Sequence, residues 1–96
     1  MFARTSEWTG SPEALENWCG HVASTVKGFV QDLPGNAGAL FFIDRDAGTA
    51  LTVTVWDSEE AAAATDRFAD QSRASTVAAT GVALVAQRGY EVVRGT

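Results

Sequence analysis

The sequence predicts an α+β fold, two helices laid on one face of a four-stranded antiparallel sheet in the order βαββαβ, and three observations carry that prediction. Residues 39–64, ALFFIDRDAGTALTVTVWDSEEAAAA, read as a β-hairpin that runs directly into a helix. Ahead of the hairpin, Leu15, Trp18, Val22, Val26 and Phe29 recur at spacings of three and four, which draws one apolar stripe along a helix. Residues 2–8 and 82–93 read as strands at the two ends, so each helix connects two strands.

The first strand covers 2–8. Ser11 then caps a helix with Pro12 at its first position, where the missing N–H loses no hydrogen bond. This helix runs to about Gln31 and ends at Leu33, Pro34, Gly35 and Asn36. Leu40, Phe41, Phe42 and Ile43 form the second strand, Asp44-Arg45-Asp46-Ala47-Gly48-Thr49 supplies the turn, and Leu51-Thr52-Val53-Thr54-Val55-Trp56 alternates with the two-residue period of the third. The period changes at Asp57, which can cap a second helix with Glu60 three residues on, and the alanines that follow favour helix. That helix covers 58–71 and can continue to Ala79 before Gly81 breaks it. The last strand, 82–93, ends in Tyr90-Glu91-Val92-Val93. The order is that of a ferredoxin-like split βαβ unit, one domain over residues 1–96.

Composition narrows the function. With 96 residues and 46% hydrophobic content, the chain can bury a modest core. A net charge of −5, with seven Lys and Arg scattered along the chain, supplies no basic face for nucleic acid. One cysteine, Cys19, excludes an internal disulfide and fits a reducing cytoplasm. No apolar stretch approaches the roughly 20 residues of a membrane span, and the N-terminus lacks a signal peptide's order, so the expectation is a cytoplasmic protein that engages neither membrane nor nucleic acid. Metal-ligand spacings, a glycine-rich phosphate loop and a nucleophile with a matched base are all missing, so no metal and no cofactor are expected.

Two helices cover one face of the sheet, and the other face is also apolar by sequence. Leu51, Val53 and Val55 point one way, Thr52, Thr54 and Trp56 the other; Leu40 and Phe42 oppose Phe41 and Ile43. Left bare, such a face exceeds what a monomer usually exposes, which predicts a two-fold homodimer joined sheet to sheet.

The hairpin followed by Val55-Trp56-Asp57-Ser58-Glu59-Glu60-Ala61, the Pro34-Gly35 turn before it and the terminal Tyr90-Glu91-Val92-Val93 resemble the antibiotic biosynthesis monooxygenase family over nearly the whole chain. The resemblance implies the dimeric α+β barrel, two ferredoxin-like protomers packed sheet against sheet. It also implies cofactor-independent oxidation of a small aromatic metabolite. In the quinone-forming members a tryptophan at the place of Trp56 contacts an aromatic polyketide. A polar amide and an aromatic hydroxyl assist it there, and those neighbourhoods here hold Thr52 and Ala62. Ala62 has no polar side chain, so that set is incomplete. Haem-degrading relatives place an axial histidine in or just after the second helix, whereas the one histidine here, His21, is on the first.

The candidate site follows from both lines. Thr52, Thr54 and Trp56 are expected to face the helices, with Trp18, Val22, Phe29 and Phe68 as apolar lining and Arg4 as an orienting cation. The small inward residues of the second helix, among them Ala61, Ala62, Thr65 and Ala69, permit either close packing or a cavity. His21, the side chain that titrates nearest neutrality, is the expected proton acceptor, with Trp56 as stacking wall and Thr52 as oxygen contact. Arg88 is expected to pair with an acidic neighbour. The alternative to an enzyme is a non-catalytic homodimer that binds a hydrophobic small molecule.

Overall fold

The alternating strands assemble as the sequence dictates. A computed structural model describes residues 1–93, apart from the side chains of Lys27 and Phe29. Strands β1 (Phe2–Thr9), β2 (Asn36–Asp44), β3 (Thr49–Trp56) and β4 (Ala83–Glu91) form one sheet in the order β2-β3-β1-β4, antiparallel throughout. The observed order is βαββαβ, the ferredoxin-like α+β arrangement.

The first connection is a helix in three parts: α1 (Pro12–His21), a π-helical turn (Val22–Val26) and α2 (Lys27–Gln31). Ser11 caps α1 by accepting from the Ala14 N–H at 3.1 Å, with Pro12 at the start. The π turn explains how the apolar stripe continues. Its wider i→i+5 repeat keeps Val22 and Val26 on the same side, and the stripe goes on to Val30, which is buried. The predicted stripe runs to Phe29 instead; that side chain lies outside the described residues.

The second connection also departs from a single helix. It divides into α3 (Glu59–Ala63) and α4 (Asp66–Thr80), with buried Thr65 between them. Ser58, not Asp57, is the cap of α3: its side chain accepts from the Ala61 N–H at 3.1 Å. The reason lies in the turn. Asp57 donates its N–H to the Gly35 carbonyl at 2.9 Å and so still belongs to the strand end, which moves the helix start on by one residue. Gly35 has φ +80°, and a Cβ there would stand 2.7 Å from that of Ala61, so the Pro34-Gly35 turn needs glycine on both counts. Gly81 ends α4 in the left-handed conformation.

Register fixes the two faces. Arg4 pairs with Thr54, Ser6 with Thr52 and Trp8 with Ala50, so even-numbered residues of β1 and β3 look toward the helices. Trp8, Leu15, Trp18, Val22, Ala50 and Val82 pack there as the core, with Phe41, Ile43 and Leu84 against it. The opposite face pairs Phe42 with Leu51 and Leu40 with Val53, and no helix among the described residues covers it. Glu7 and Arg88 form an ion pair of 3.0 Å on that face, the acidic partner expected for Arg88. No helix among the described residues is long and apolar enough to cross a membrane.

Candidate functional site

Between the sheet and the helices a cavity of about 60 Å³ remains. Its floor is Arg4, Ser6 and Trp8 of β1 with Thr52, Thr54 and Trp56 of β3. Trp18, Val22, Val26 and Val30 wall one side, each four residues from the next, so the π turn is what keeps them on one line. Ala69, Ser72, Arg73 and Thr76 of α4 wall the other. All three tryptophans of the chain therefore border this space.

Two of the indole N–H groups donate to threonines of the same wall. Trp56 is 1% exposed and donates Nε1–H to Thr54 Oγ1 at 2.9 Å; Trp8 donates to Thr52 Oγ1 at 3.1 Å. An indole nitrogen only donates, so each threonine oxygen is the acceptor and keeps its own O–H to offer elsewhere. The Trp18 ring meets Phe41 edge-on with centroids 6.5 Å apart. Its Nε1–H is fully covered and has no hydrogen-bond partner among the described residues. A buried, unpaired N–H costs about 1–3 kcal/mol.

Arg4 supplies the charge. Its guanidinium lies 5.1 Å from the centre of the Trp56 ring, Nη2 donates to Thr65 Oγ1 at 2.8 Å, and Nη1 pairs with Asp66. The break between α3 and α4 makes this possible: Thr65 Oγ1 donates to the Ala62 carbonyl at 2.8 Å and turns its lone pair to Arg4. Burial pulls the Arg4 pKa below the ordinary arginine value, with Arg73 adding to the fall and Asp66 opposing it. Arg73 pairs with Asp70 at 2.6 Å. Among the described residues the cavity wall thus holds two guanidinium groups and no carboxylate, inside a chain whose net charge is −5.

Of the residues singled out by sequence, the structure brings Arg4, Trp18, Val22, Thr52, Thr54 and Trp56 to one cavity. It does not bring His21 or Phe68. His21 closes α1 half-buried and is not among the lining residues, because one residue before Val22 is roughly 100° around the helix from the stripe. Phe68 is exposed, since α4 turns the next residue, Ala69, inward. The predicted cavity position of Phe29 lies outside the described residues. Sequence reasoning missed Trp8, Ser72, Arg73 and Thr76. Trp8 was legible from its even register with Arg4 on the first strand. The inner face of α4 was legible only as a polar stripe, Thr65, Ala69, Ser72, Thr76 and Thr80, where an apolar one is the usual signal. The Thr76 and Thr80 hydroxyls donate to carbonyls four residues back at 2.9 and 2.7 Å, which is how they sit buried.

A second opening, a groove of about 390 Å³, lies outside the cavity, between α3, α4 and the β1–β4 edge. Arg4 and Arg73 line both spaces and stand between them. Among the described residues no group of three or more His, Cys, Asp or Glu side chains is placed to hold a metal ion.

No family model matches the sequence, and no curated protein matches it. Solved structures do match the fold. A Deinococcus radiodurans protein assigned as an antibiotic biosynthesis monooxygenase superimposes with TM-score 0.73 at 18% identity, over 100% of this chain and 96% of its own. The monooxygenase of the ActVA-Orf6 gene of Streptomyces coelicolor, solved with the ligand nanaomycin D, gives 0.72 at 16% identity, over 99% and 88%. A variant of SnoaB, a cofactor-independent oxygenase of Streptomyces nogalater, gives 0.68 at 14% identity, over 98% and 94%. The chain has the ferredoxin-like protomer fold of these proteins, the protomer fold that the resemblance in its sequence implies.

Proposed function

We propose that this chain is a cofactor-independent monooxygenase that acts on a small aromatic metabolite in the cavity between sheet and helices, working as a homodimer. One observation carries the reading: three tryptophans and a set of hydrogen-bond donors enclose a space in a fold shared with oxygenases. In the reaction, a phenol and dioxygen give a quinone and water. The substrate supplies all the electrons, one oxygen atom becomes the new carbonyl, and the other leaves as water. The protein's part is to exclude solvent, to stack the ring against Trp56 and to aim its oxygen at the Thr52 and Thr54 hydroxyls.

The open sheet face supports the homodimer. Leu40, Phe42, Leu51, Val53, Val55, Val85 and Tyr90 share it or its rim, and Leu40 and Val85 are 58% and 60% exposed. A second copy packed sheet to sheet covers these groups and leaves both cavities on the outer sides. The setting of this reading is the cytoplasm, where Cys19 stays reduced.

The test is oxygen consumption by the purified, metal-stripped protein with phenolic and hydroquinone-like aromatics, with mass spectrometry of the products and heat-denatured protein as the blank. An oxygenated product formed only by native protein is the expected outcome. A second reading, a non-catalytic dimer that binds a hydrophobic small molecule, is favoured by one observation: no His, Asp or Glu side chain lines the cavity among the described residues. Binding of the same compounds with no oxygen consumed would decide for it. His21→Ala separates the roles further, since unchanged turnover removes His21 from the mechanism.

A further inference from the structure

The proposed oxidation begins with an electron-rich, ionised ring, and the cavity wall offers no side chain to take its proton. We infer that Arg4 and Arg73 replace the missing base by binding a phenol as its phenolate, so that the O–H proton passes to solvent and both bonding electrons stay on an oxygen held between the two guanidinium groups. This rests on the reading of the cavity as an aromatic site and names the form in which the substrate is bound.

Three features of the geometry point to it. First, both arginines line the cavity and are largely covered, each side chain 17% exposed, while their partners Asp66 and Asp70 lie on the groove side and are 65% and 73% exposed. Carboxylates so open to water are rehydrated readily when an ion pair opens, and the covered arginine they leave needs another anion. An anion arriving from the cavity side therefore competes on favourable terms. Second, Arg4 and Arg73 are near enough for the charge of one to act on the other, and an oxyanion placed between like charges relieves that repulsion. Third, the Thr52 and Thr54 oxygens each already accept from an indole, which leaves their O–H groups to donate to an electron-rich oxygen in the cavity.

The same residues explain access. At about 60 Å³ the cavity is well below the roughly 300 Å³ at which ligand sites begin, and the groove of about 390 Å³ is lined by the same two arginines. On this inference a ring is seated only when one of these side chains gives way and joins the two spaces.

Apolar surroundings and a cationic pole shift a bound phenol in opposite directions. Desolvation by tryptophan and valine raises its pKa, whereas an adjacent guanidinium lowers it by about 1–3 units. The experiment uses 4-nitrophenol, whose phenolate is coloured, and nitrobenzene, which has the ring without the hydroxyl. The absorbance of 4-nitrophenol is titrated free and with saturating wild-type protein, then with Arg73→Gln and Arg4→Gln. The expected result is phenolate formation about one pH unit or more lower in the complex, a shift that Arg73→Gln reduces and Arg4→Gln reduces further. A bound pKa at or above the free value overturns the inference in the wild-type protein alone, whether or not the Arg4 variant folds. A lowered pKa that both folded variants retain overturns it as well. Nitrobenzene binding without a lowered nitrophenol pKa defeats the arginine assignment and leaves the aromatic site standing. Failure of both compounds to bind removes the site itself.

Discussion

The two faces of the same sheet show what one strand pattern can be made to do. Along β3, residues 52, 54 and 56 point into a cavity edged by indoles, hydroxyls and guanidinium groups, while residues 51, 53 and 55 point to a bare apolar surface. The inner face is apolar by its aromatics yet polar by its hydrogen bonds, every threonine oxygen there being tied to an indole. The outer face is mostly side chains without polar handles, with Thr5, Tyr90 and the Glu7–Arg88 pair toward the β4 side. The first suits the small-molecule site proposed above, the second the sheet-to-sheet contact proposed with it.

The largest effect expected from breaking this contrast is at Trp56. Trp56→Ala removes a ring that is 1% exposed and should cost about 3–5 kcal/mol in urea unfolding. It should also abolish nitrobenzene binding while the sedimentation coefficient stays that of the wild type; loss of the dimer instead would make Trp56 structural for both faces. Next is the outer face. Val53→Asp places a charge at its centre, opposite Leu40, and should weaken self-association by at least about 2 kcal/mol, roughly thirtyfold, in sedimentation equilibrium with the circular dichroism unchanged. A wild-type protein that sediments as a monomer at high concentration would rule out the dimer directly.

Two smaller changes sharpen the comparison. Thr54→Val keeps the shape of the inner wall but leaves the Trp56 N–H without its acceptor, which should lower stability by about 1–3 kcal/mol in the same urea assay. A change within error would mean that the indole finds another acceptor and the donor-rich wall is less fixed than its geometry indicates. Least of all is expected from the outer ion pair in an isolated chain. A double-mutant cycle on Glu7 and Arg88 should give about 1 kcal/mol or less at protein concentrations that keep the monomer. A coupling that grows with protein concentration locates the pair inside the interface.

Much of the site was legible because strand register is local information. Once Trp56 is assigned to a strand, Thr52 and Thr54 share its side, and Arg4 follows when the first strand pairs with the third. Trp18 and Val22 follow in the same way from helical spacing. Arg73 was not legible, because its helix carries no apolar stripe to orient it and its inward turn depends on hydroxyls that satisfy their own backbone. His21 misled for a related reason: chemistry singles it out, but its angular place on the helix does not put it in the wall.

By itself, then, the sequence determined the element order, the ferredoxin-like fold and the apolar character of both sheet faces, since periods of two and of three to four are written residue by residue. Tertiary structure decided the rest. The π turn that lines up Trp18, Val22, Val26 and Val30, the helix break at Thr65 that receives Arg4, and the convergence of two arginines on one cavity each require contacts between segments far apart in the chain. Such contacts depend on how helix and sheet settle against each other, and no local period encodes that distance.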